Sequence, residues 1–326
     1  VRFTTILFLF AGILLCQTAC DQKSEMKTVV RIGHFPNVTH AQGLIAHNFS
    51  REGKGWFEER LGADVEVQWF VYNAGPSAME AFFAGSLDAT YVGPNPALNA
   101  HIKSKGEEVR VLAGAAFGGA ALVVHQDEGI ASVADLRGKK IATPQFGNTQ
   151  DVACRAWLTE QGFEVTKTGG DVQVIPTANP DQLALFQRRQ IDGAWTVEPW
   201  VSRLEMEAGG KVFLEEKEAL TTVFACSEAF LREKPDLAEK LLQAHLELTQ
   251  WISDSPDEAQ KRVVAELTAL THSPFPLELV QHAWPRLTFT GTIETEDFAR
   301  FMRSAQKVGF LKEGGDLSAL VARTPE

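Results

Sequence analysis

The run Gly147-Asn148-Thr149-Gln150 sets a turn glycine directly before a helical pattern over Thr149–Glu160. The first N–H groups of a helix have no partner within it, and the dipole is positive at that end. Such a start can hold an anionic headgroup without a lysine or arginine. Thr149 adds a hydroxyl. The same residues could equally cap only their own helix. Gly75-Pro76-Ser77 repeats the arrangement ahead of a second helical pattern at 78–84, with Ser77 able to cap or to face a solute. Asn179-Pro180-Asp181 is a third start of this kind. Its carboxylate would repel an anion, so plain capping is expected there.

Other polar and aromatic residues stand at the ends of strand-like runs. Phe35, Asn37 and His40 follow an apolar run at 29–33. Asn37 can donate or accept. His40 is either a donor tunable near neutral pH or a packed helix-start residue. Phe35 either stacks on a solute or plugs the core. Gly93-Pro94-Asn95-Pro96 reads as a proline-fixed turn that offers Asn95 for contact. Gly118 and Gly119, after Phe117, suit a hinge or a close approach to ligand. Trp195 would give an apolar wall with one N–H donor. Glu198 could accept from a ligand amine, pair across a cleft, or only fix the turn between Trp195 and Trp200.

Nothing in the spacing sets up catalysis. There is no nucleophile–base pair, no zinc pattern of two histidines four apart, no GxSxG elbow and no phosphate-binding loop. No enzyme activity, cofactor or metal is therefore expected. The formal charge of -11, from 42 acidic and 31 basic residues, argues against a nucleic-acid partner. It leaves room for a local positive pocket.

The elements that must position these residues alternate. Strand patterns at Val65–Val71, 88–92, 109–113, 121–125, 140–142, 172–175 and Gly193–Val197 are interleaved with helical patterns at 78–84, Thr149–Glu160 and 182–188. This is the rhythm of parallel α/β units. An internal echo sharpens it. Asn73-Ala74-Gly75-Pro76-Ser77 is answered by Thr177-Ala178-Asn179-Pro180-Asp181. Phe82 then aligns with Phe186, Asp88 with Asp192 and Tyr91 with Trp195, each pair 104 residues apart. Two lobes of similar topology would present the same kind of edge to a common cleft. After a strand at 223–226 the tail reads as helices at 235–251, 255–270, 278–283 and 294–308.

Several stretches carry a resemblance: Gly33-His34-Phe35-Pro36 with His40 and Ala41, Gly85-Ser86-Leu87-Asp88-Ala89, the run from Ile130 to Lys140, Gly147-Asn148-Thr149-Gln150, and Asp192-Gly193-Ala194-Trp195 with Glu198-Pro199. In this order and spacing, residues 29–320 resemble the periplasmic solute-binding proteins of nitrate, sulfonate and taurine ABC importers. The resemblance implies a type II periplasmic binding protein, with two parallel-sheet lobes joined by a two-crossing hinge. It implies a monomer that captures a small organic anion, sulfonate- or taurine-like, and delivers it to a membrane permease with its ATPase. Ligand contacts are then expected from Phe35, Asn37, His40, Gly75, Ser77, Asn95, Gly118, Gly147, Asn148, Thr149, Gln150, Trp195 and Glu198. Nitrate, bicarbonate, a phosphonate or a thiamin pyrimidine precursor are alternative ligands, and a thiamin-precursor biosynthetic enzyme shares the frame. The expected division is 29–120 with 222–326 as the first lobe and 121–221 as the second.

The first twenty residues differ from the rest. Arg2, an apolar run at 3–15 and the small residues before Cys20 have the order of an export signal, too short to span a membrane comfortably. Thr18-Ala19-Cys20 resembles a lipoprotein processing site, although Gln17 departs from its pattern. Residues 1–20 are thus expected to be a signal with lipidation at Cys20, and 21–28 a tether. The expected location is the periplasm or the outer face of the inner membrane. Cys154 and Cys226 read as buried free thiols, with a disulfide as the alternative.

Overall fold

The computed structural model describes residues 27–312 and 315–322; the expected signal, Cys20 and most of the tether lie outside them. The chain opens with β1 (Thr28–His34), α1 (Ala41–Arg51), α2 (Trp56–Leu61), β2 (Val65–Val71), α3 (Gly75–Phe83), β3 (Ala89–Val92), α4 (Pro94–Lys103) and β4 (Val109–Gly118). A second body follows: β5 (Ala120–His125), β6 (Lys140–Thr143), α5 (Thr149–Glu160), β7 (Gln173–Pro176), α6 (Asn179–Gln187), β8 (Gly193–Val197), α7 (Trp200–Ala208) and β9 (Gly210–Glu216). The chain then returns through β10 (Leu220–Ser227), α8 (Glu228–Glu233), α9 (Pro235–Asp254), α10 (Pro256–Thr271), α11 (Leu277–Ala283), β11 (Leu287–Phe289) and α12 (Thr295–Lys307).

Two sheets result, in the orders β11-β4-β10-β3-β1-β2 and β7-β6-β8-β5-β9. β1 runs parallel to β2 and β3, and β6 runs parallel to β7 and β8. The other pairings are antiparallel. Each lobe is therefore a mixed sheet, in which antiparallel strands join the expected parallel units. The cause is the double crossing. The chain leaves the first sheet at Gly118-Gly119 and returns through residues 217–219. Strands on either side of an outward and a return pass run in opposite directions, so β4 meets β10 and β5 meets β9 antiparallel.

Helices cover both faces of each sheet, so β5 and β10 are buried along their whole lengths. In the first lobe α1, α2, α9 and α10 close over Ile32, Tyr91, Phe224 and Leu248. On its other face α3, α4 and α12 close over Phe82, Val92, Leu98 and Phe298. In the second lobe α5 covers Ile141, Leu158 and Trp195, and α6 and α7 cover Phe186, Ala194 and Leu204. Cys154 lies in α5 and Cys226 in β10, both buried and free.

The internal echo is structural. α3 and α6 begin at 75 and 179, and β3 and β8 begin at 89 and 193, again 104 apart. Both helices carry a proline in the first turn, and Phe82 and Phe186 are buried at matching positions. One expectation changes here. Pro94-Asn95-Pro96 is the first turn of α4 rather than a free turn, with Gly93 as its extended N-cap. Proline suits that place because its missing N–H has no partner to lose.

Candidate functional site

An interlobe cavity lies where β1, β3, β6 and β8 give way to the segments that follow them. Its wall takes Phe35, Asn37 and His40 from the segment after β1, Gly93 from the end of β3, Pro144 after β6 and Val197 from β8. Ligand sites in open α/β sheets occupy this carboxyl edge. Helix starts complete the wall: Ala74 and Gly75 at α3, Asn148, Thr149 and Gln150 at α5, and Asn179 at α6. α4 also begins there, behind Gly93. α3 and α6 have no side-chain cap, so their leading N–H groups stay available. In α4 two prolines remove donors and the Asn95 N–H bonds Thr149 Oγ1 at 3.3 Å, so this helix contributes chiefly its dipole.

Among the described residues, no Asp, Glu, Lys or Arg lines the cavity. His40 lines it in the neutral form, because burial holds its pKa well below 6.5, with His34 nearby adding to the effect. Its Nδ1 accepts the Phe35 N–H at 3.4 Å and its ring stacks on Phe35 at 4.4 Å. The proton then sits on Nε2, which makes His40 a neutral donor. The cavity volume is about 20 Å³. The lobes are closed, and the space suits a compact group.

The segment before α5 is held from within its own lobe. Asp151, fully buried, accepts from Thr143 Oγ1 at 2.8 Å, from the Gly147 N–H at 3.0 Å and from Arg155 Nε at 3.1 Å. Arg155 is itself buried and spends its other donors on the carbonyls of Thr166 and Val174. It therefore places the segment and does not reach the cavity. Asp151→Ala would strand a buried guanidinium and release Gly147, so a loss of about 3–5 kcal/mol of stability is expected. Urea denaturation checks this; a change below about 1 kcal/mol would show that the network does not hold the segment.

The predicted contacts divide. Phe35, Asn37, His40, Gly75, Asn148, Thr149 and Gln150 meet at the cavity. Asn148 caps α5 through Oδ1 to the Asp151 N–H at 2.8 Å and ties Gln150 Oε1 at 3.1 Å, which leaves the Gln150 amide N–H groups for the cavity. Ser77 stands aside, accepting from Gln145 Nε2 of the other lobe at 3.4 Å. Gly147, at φ 76°, packs against Phe310. Gly118, at φ 74°, belongs to the crossing, where a Cβ would lie 2.3 Å from the Arg286 carbonyl. Asn95 faces a lateral hollow beside Trp157, Glu216 and Arg300, and both ends of its buried amide lack protein partners among the described residues.

Trp195 and Glu198 are placed elsewhere. Trp195 is a core residue of the second lobe that shows its edge to the lateral hollow and donates from Nε1 to Glu216 at 3.0 Å. It forms no wall of the central cavity, so it gives no reason to expect an organic tail there. Glu198 is fully buried and accepts from Ser202 N–H at 3.0 Å, Ser202 Oγ at 3.0 Å and Arg286 Nη1 at 2.9 Å. Of its three readings, the geometry matches pairing between lobes, since Arg286 precedes β11.

Further bonds bridge the lobes. Trp200 Nε1 donates to Asn37 Oδ1 at 3.1 Å, and the Val38 N–H donates to the Glu198 carbonyl at 3.0 Å. Trp200→Phe removes a donor that acts only in closure. A 3–10-fold weaker affinity is expected, from a net hydrogen bond of about 0.5–1.5 kcal/mol. Calorimetry on both proteins checks it, and equal affinities would remove this contact from the closing energy.

Sequence reasoning passed over Thr39, Asn73, Gly93, Val197 and Thr221 and gave Asn179 only a capping role; all six line the cavity, and the start of α6 has no side-chain cap. The echo held the signal for two of them. Shifted by 104 residues, Gly75 falls on Asn179 and Gly93 on Val197. Asn179 Oδ1 accepts from Thr196 Oγ1 at 3.1 Å, while the exposed Asp181 is not among the lining residues.

The sequence pattern of the NMT1-like family matches residues 23–269. A binding protein of Brucella abortus (strain 2308) is 28% identical over 209 residues, 62% of this chain and 61% of that protein. The taurine-binding periplasmic protein of Escherichia coli (strain K12) is 27% identical over 207 residues, again 62% of this chain and 61% of its own. The chain thus spans 61% of the length of these curated relatives. Among solved structures, the periplasmic aliphatic sulphonate-binding protein SsuA from Escherichia coli gives a TM-score of 0.70 at 18% identity, covering 90% of this chain and 97% of that one. The architecture is that of the periplasmic binding proteins.

Proposed function

The chain belongs to the NMT1-like family, and on that premise we propose that it is the solute-binding component of an ABC importer, closing its lobes on a small sulfonate-like anion. The observation that carries the anion is the wall of the cavity. Four helices start there, and among the described residues no carboxylate lines the cavity, Asp151 and Asp181 in the first turns of α5 and α6 lying outside its wall. Each helix start acts as roughly half a positive charge. An ammonium group would meet those positive ends with no carboxylate in the wall, among the described residues, to pair with. A sulfonate headgroup would accept from the N–H groups of α3, α5 and α6, from Thr149 Oγ1 and from His40 Nε2.

In this reading the solute binds the open form, the lobes close about the crossings at Gly118-Gly119 and 217–219, and the closed form docks on a membrane permease with its ATPase. Anchoring through a lipid on Cys20 and a monomeric state belong to the same proposal. The names of the matched relatives support a binding role over an enzymatic one. The small space favours one second reading, a compact oxyanion such as nitrate or bicarbonate.

A thermal-shift panel on the body that follows Cys20 tests the class. A ligand that binds only the folded state must raise its apparent stability. Alkanesulfonates or taurine are expected to stabilise it, and a shift with nitrate or bicarbonate alone would select the second reading. Stabilisation only by an aminated or uncharged heterocycle would overturn both.

A further inference from the structure

We infer that His34, His47 and Glu266 form a binding site for one divalent transition-metal ion of the zinc class. The three come from separate elements, the end of β1, the middle of α1 and the middle of α10. None of them lines the interlobe cavity. His34 and Glu266 are fully buried and His47 is half-buried. His34 Nε2 lies 2.9 Å from His47 Nδ1, which lies 3.0 Å from Glu266 Oε1. One nitrogen or oxygen from each residue falls within 4.8 Å of the others. Zinc bonds of about 2.0–2.1 Å in a tetrahedron need ligand atoms roughly 3.3 Å apart, so the two short separations must widen by a few tenths of an ångström and the His34–Glu266 pair must close by up to about 1.5 Å.

The protons support this. Arg51 Nη2 lies 3.2 Å from His47 Nε2, and a guanidinium can only donate. The proton of neutral His47 therefore sits on Nδ1. His34 Nδ1 lies 3.3 Å from the Phe35 carbonyl, which needs an N–H, so its Nε2 holds a lone pair. A single proton, on His47 Nδ1, thus faces two acceptors, His34 Nε2 and the Glu266 carboxylate. A cation that displaced that proton would meet three lone pairs at once. Two histidines and a glutamate with a free fourth position are a zinc-type donor set.

Occupation requires two adjustments. His47 must carry its proton on Nε2, and Arg51 must turn away from that nitrogen. Arg51 pairs with Glu266 at 2.8 Å, but its side chain is 45% exposed and can move into solvent. The ion would then fasten α10 to β1 and α1 directly before the cavity segment that starts at Phe35. Arg51 and the metal compete for Glu266 and His47, and this competition distinguishes a metal site from a satisfied hydrogen-bond cluster.

The test is a titration of the tag-free, metal-stripped protein with Co2+, read by visible absorption, followed by displacement with Zn2+. One ion per chain is expected, with the absorption of a low-coordinate N/O site and a Zn2+-dependent rise in Tm. H47Q and H34Q should each weaken Zn2+ at least tenfold, and R51M should strengthen it. His47 is only half-buried, so H47Q remains informative if H34Q fails to fold. Absence of one-to-one binding, or affinity unchanged in H47Q, would overturn the site. Affinity not raised in R51M would overturn the competition.

Discussion

Replacing Gly93 by valine is expected to weaken anion binding about 10–100-fold and to abolish ligand-induced compaction, with the first lobe still folded. Gly93 follows β3 in extended backbone, φ −67° and ψ 149°, which any residue can adopt. The lobe alone therefore tolerates a side chain. The closed form does not, because a Cβ at Gly93 would lie 2.4 Å from Thr149 Oγ1 and 3.3 Å from its Cβ. Thr149 belongs to the other lobe and is fixed at the start of α5. Overpacking of about 1–3 kcal/mol would fall on the closed state alone. A ligand held by both lobes loses affinity by the same factor as the closed population. Small-angle scattering and calorimetry with the anion that binds the wild type read both effects. Wild-type compaction and affinity in Gly93→Val would mean that ligand does not bring Gly93 and Thr149 together.

Acidification from pH 7 to pH 5 is expected to cost a few kcal/mol of stability. His245 is fully buried between Tyr91 and the sheet. Its Nε2–H donates to the Gly114 carbonyl at 2.8 Å, and its Nδ1 lies 3.0 Å from the Tyr91 hydroxyl, from which it accepts. Burial pushes its pKa down to about 4, and holds His40 well below its ordinary value. The sign follows from proton uptake. Both groups are depressed in the folded state, so the unfolded chain binds protons that the folded chain refuses. The stability they contribute is present above about 6.5 and is lost as pH falls towards the folded values. At pH 5 His245 has given up about 2 kcal/mol, and His40 adds a loss of the same sign. Glu198 and Glu216 act the other way. Burial raises both, so their contribution is present below the ordinary carboxylate value and lost as pH rises through the raised one. They offset part of the fall. His245→Gln keeps a donor and an acceptor but no titration, and should shrink the difference between pH 7 and pH 5 by about 2 kcal/mol. Urea denaturation at the two pH values decides. Equal stabilities in the wild type, unchanged by His245→Gln, would contradict this account.

Much of the fold was legible because local and global signals agree. The helix at Thr149–Glu160 and the strand at Gly193–Val197 have the bounds read from sequence. Each is bracketed by its own turn or cap residues. α4 was missed because two prolines in its first turn look like a loop until the buried Ala97, Leu98 and Ala100 are counted. The antiparallel half of each sheet was missed because nothing local records that a chain will recross its hinge.

The cavity was legible in part for the same reason. Helix starts after strands are visible in sequence, and these gave Gly75 and Asn148 to Gln150. The fate of Trp195 depended on which side of β8 faces α5, a matter of packing. Its partner in the echo, Tyr91, is a core residue in the first lobe and pointed to the same outcome. Trp200 with Asn37 and Arg286 with Glu198 lie 163 and 88 residues apart. No short-range spacing could have joined them.

Isothermal titration of the body with an alkanesulfonate and with a neutral sulfone of the same shape tests the central claim most directly. The two ligands differ in charge and little in size. Helix starts around a cavity that no carboxylate of the described residues lines should favour the anion, with one-to-one binding and an affinity at least tenfold above that of the sulfone. Equal binding of both, or preference for the sulfone, would contradict the claim that the converging helix starts select an anion.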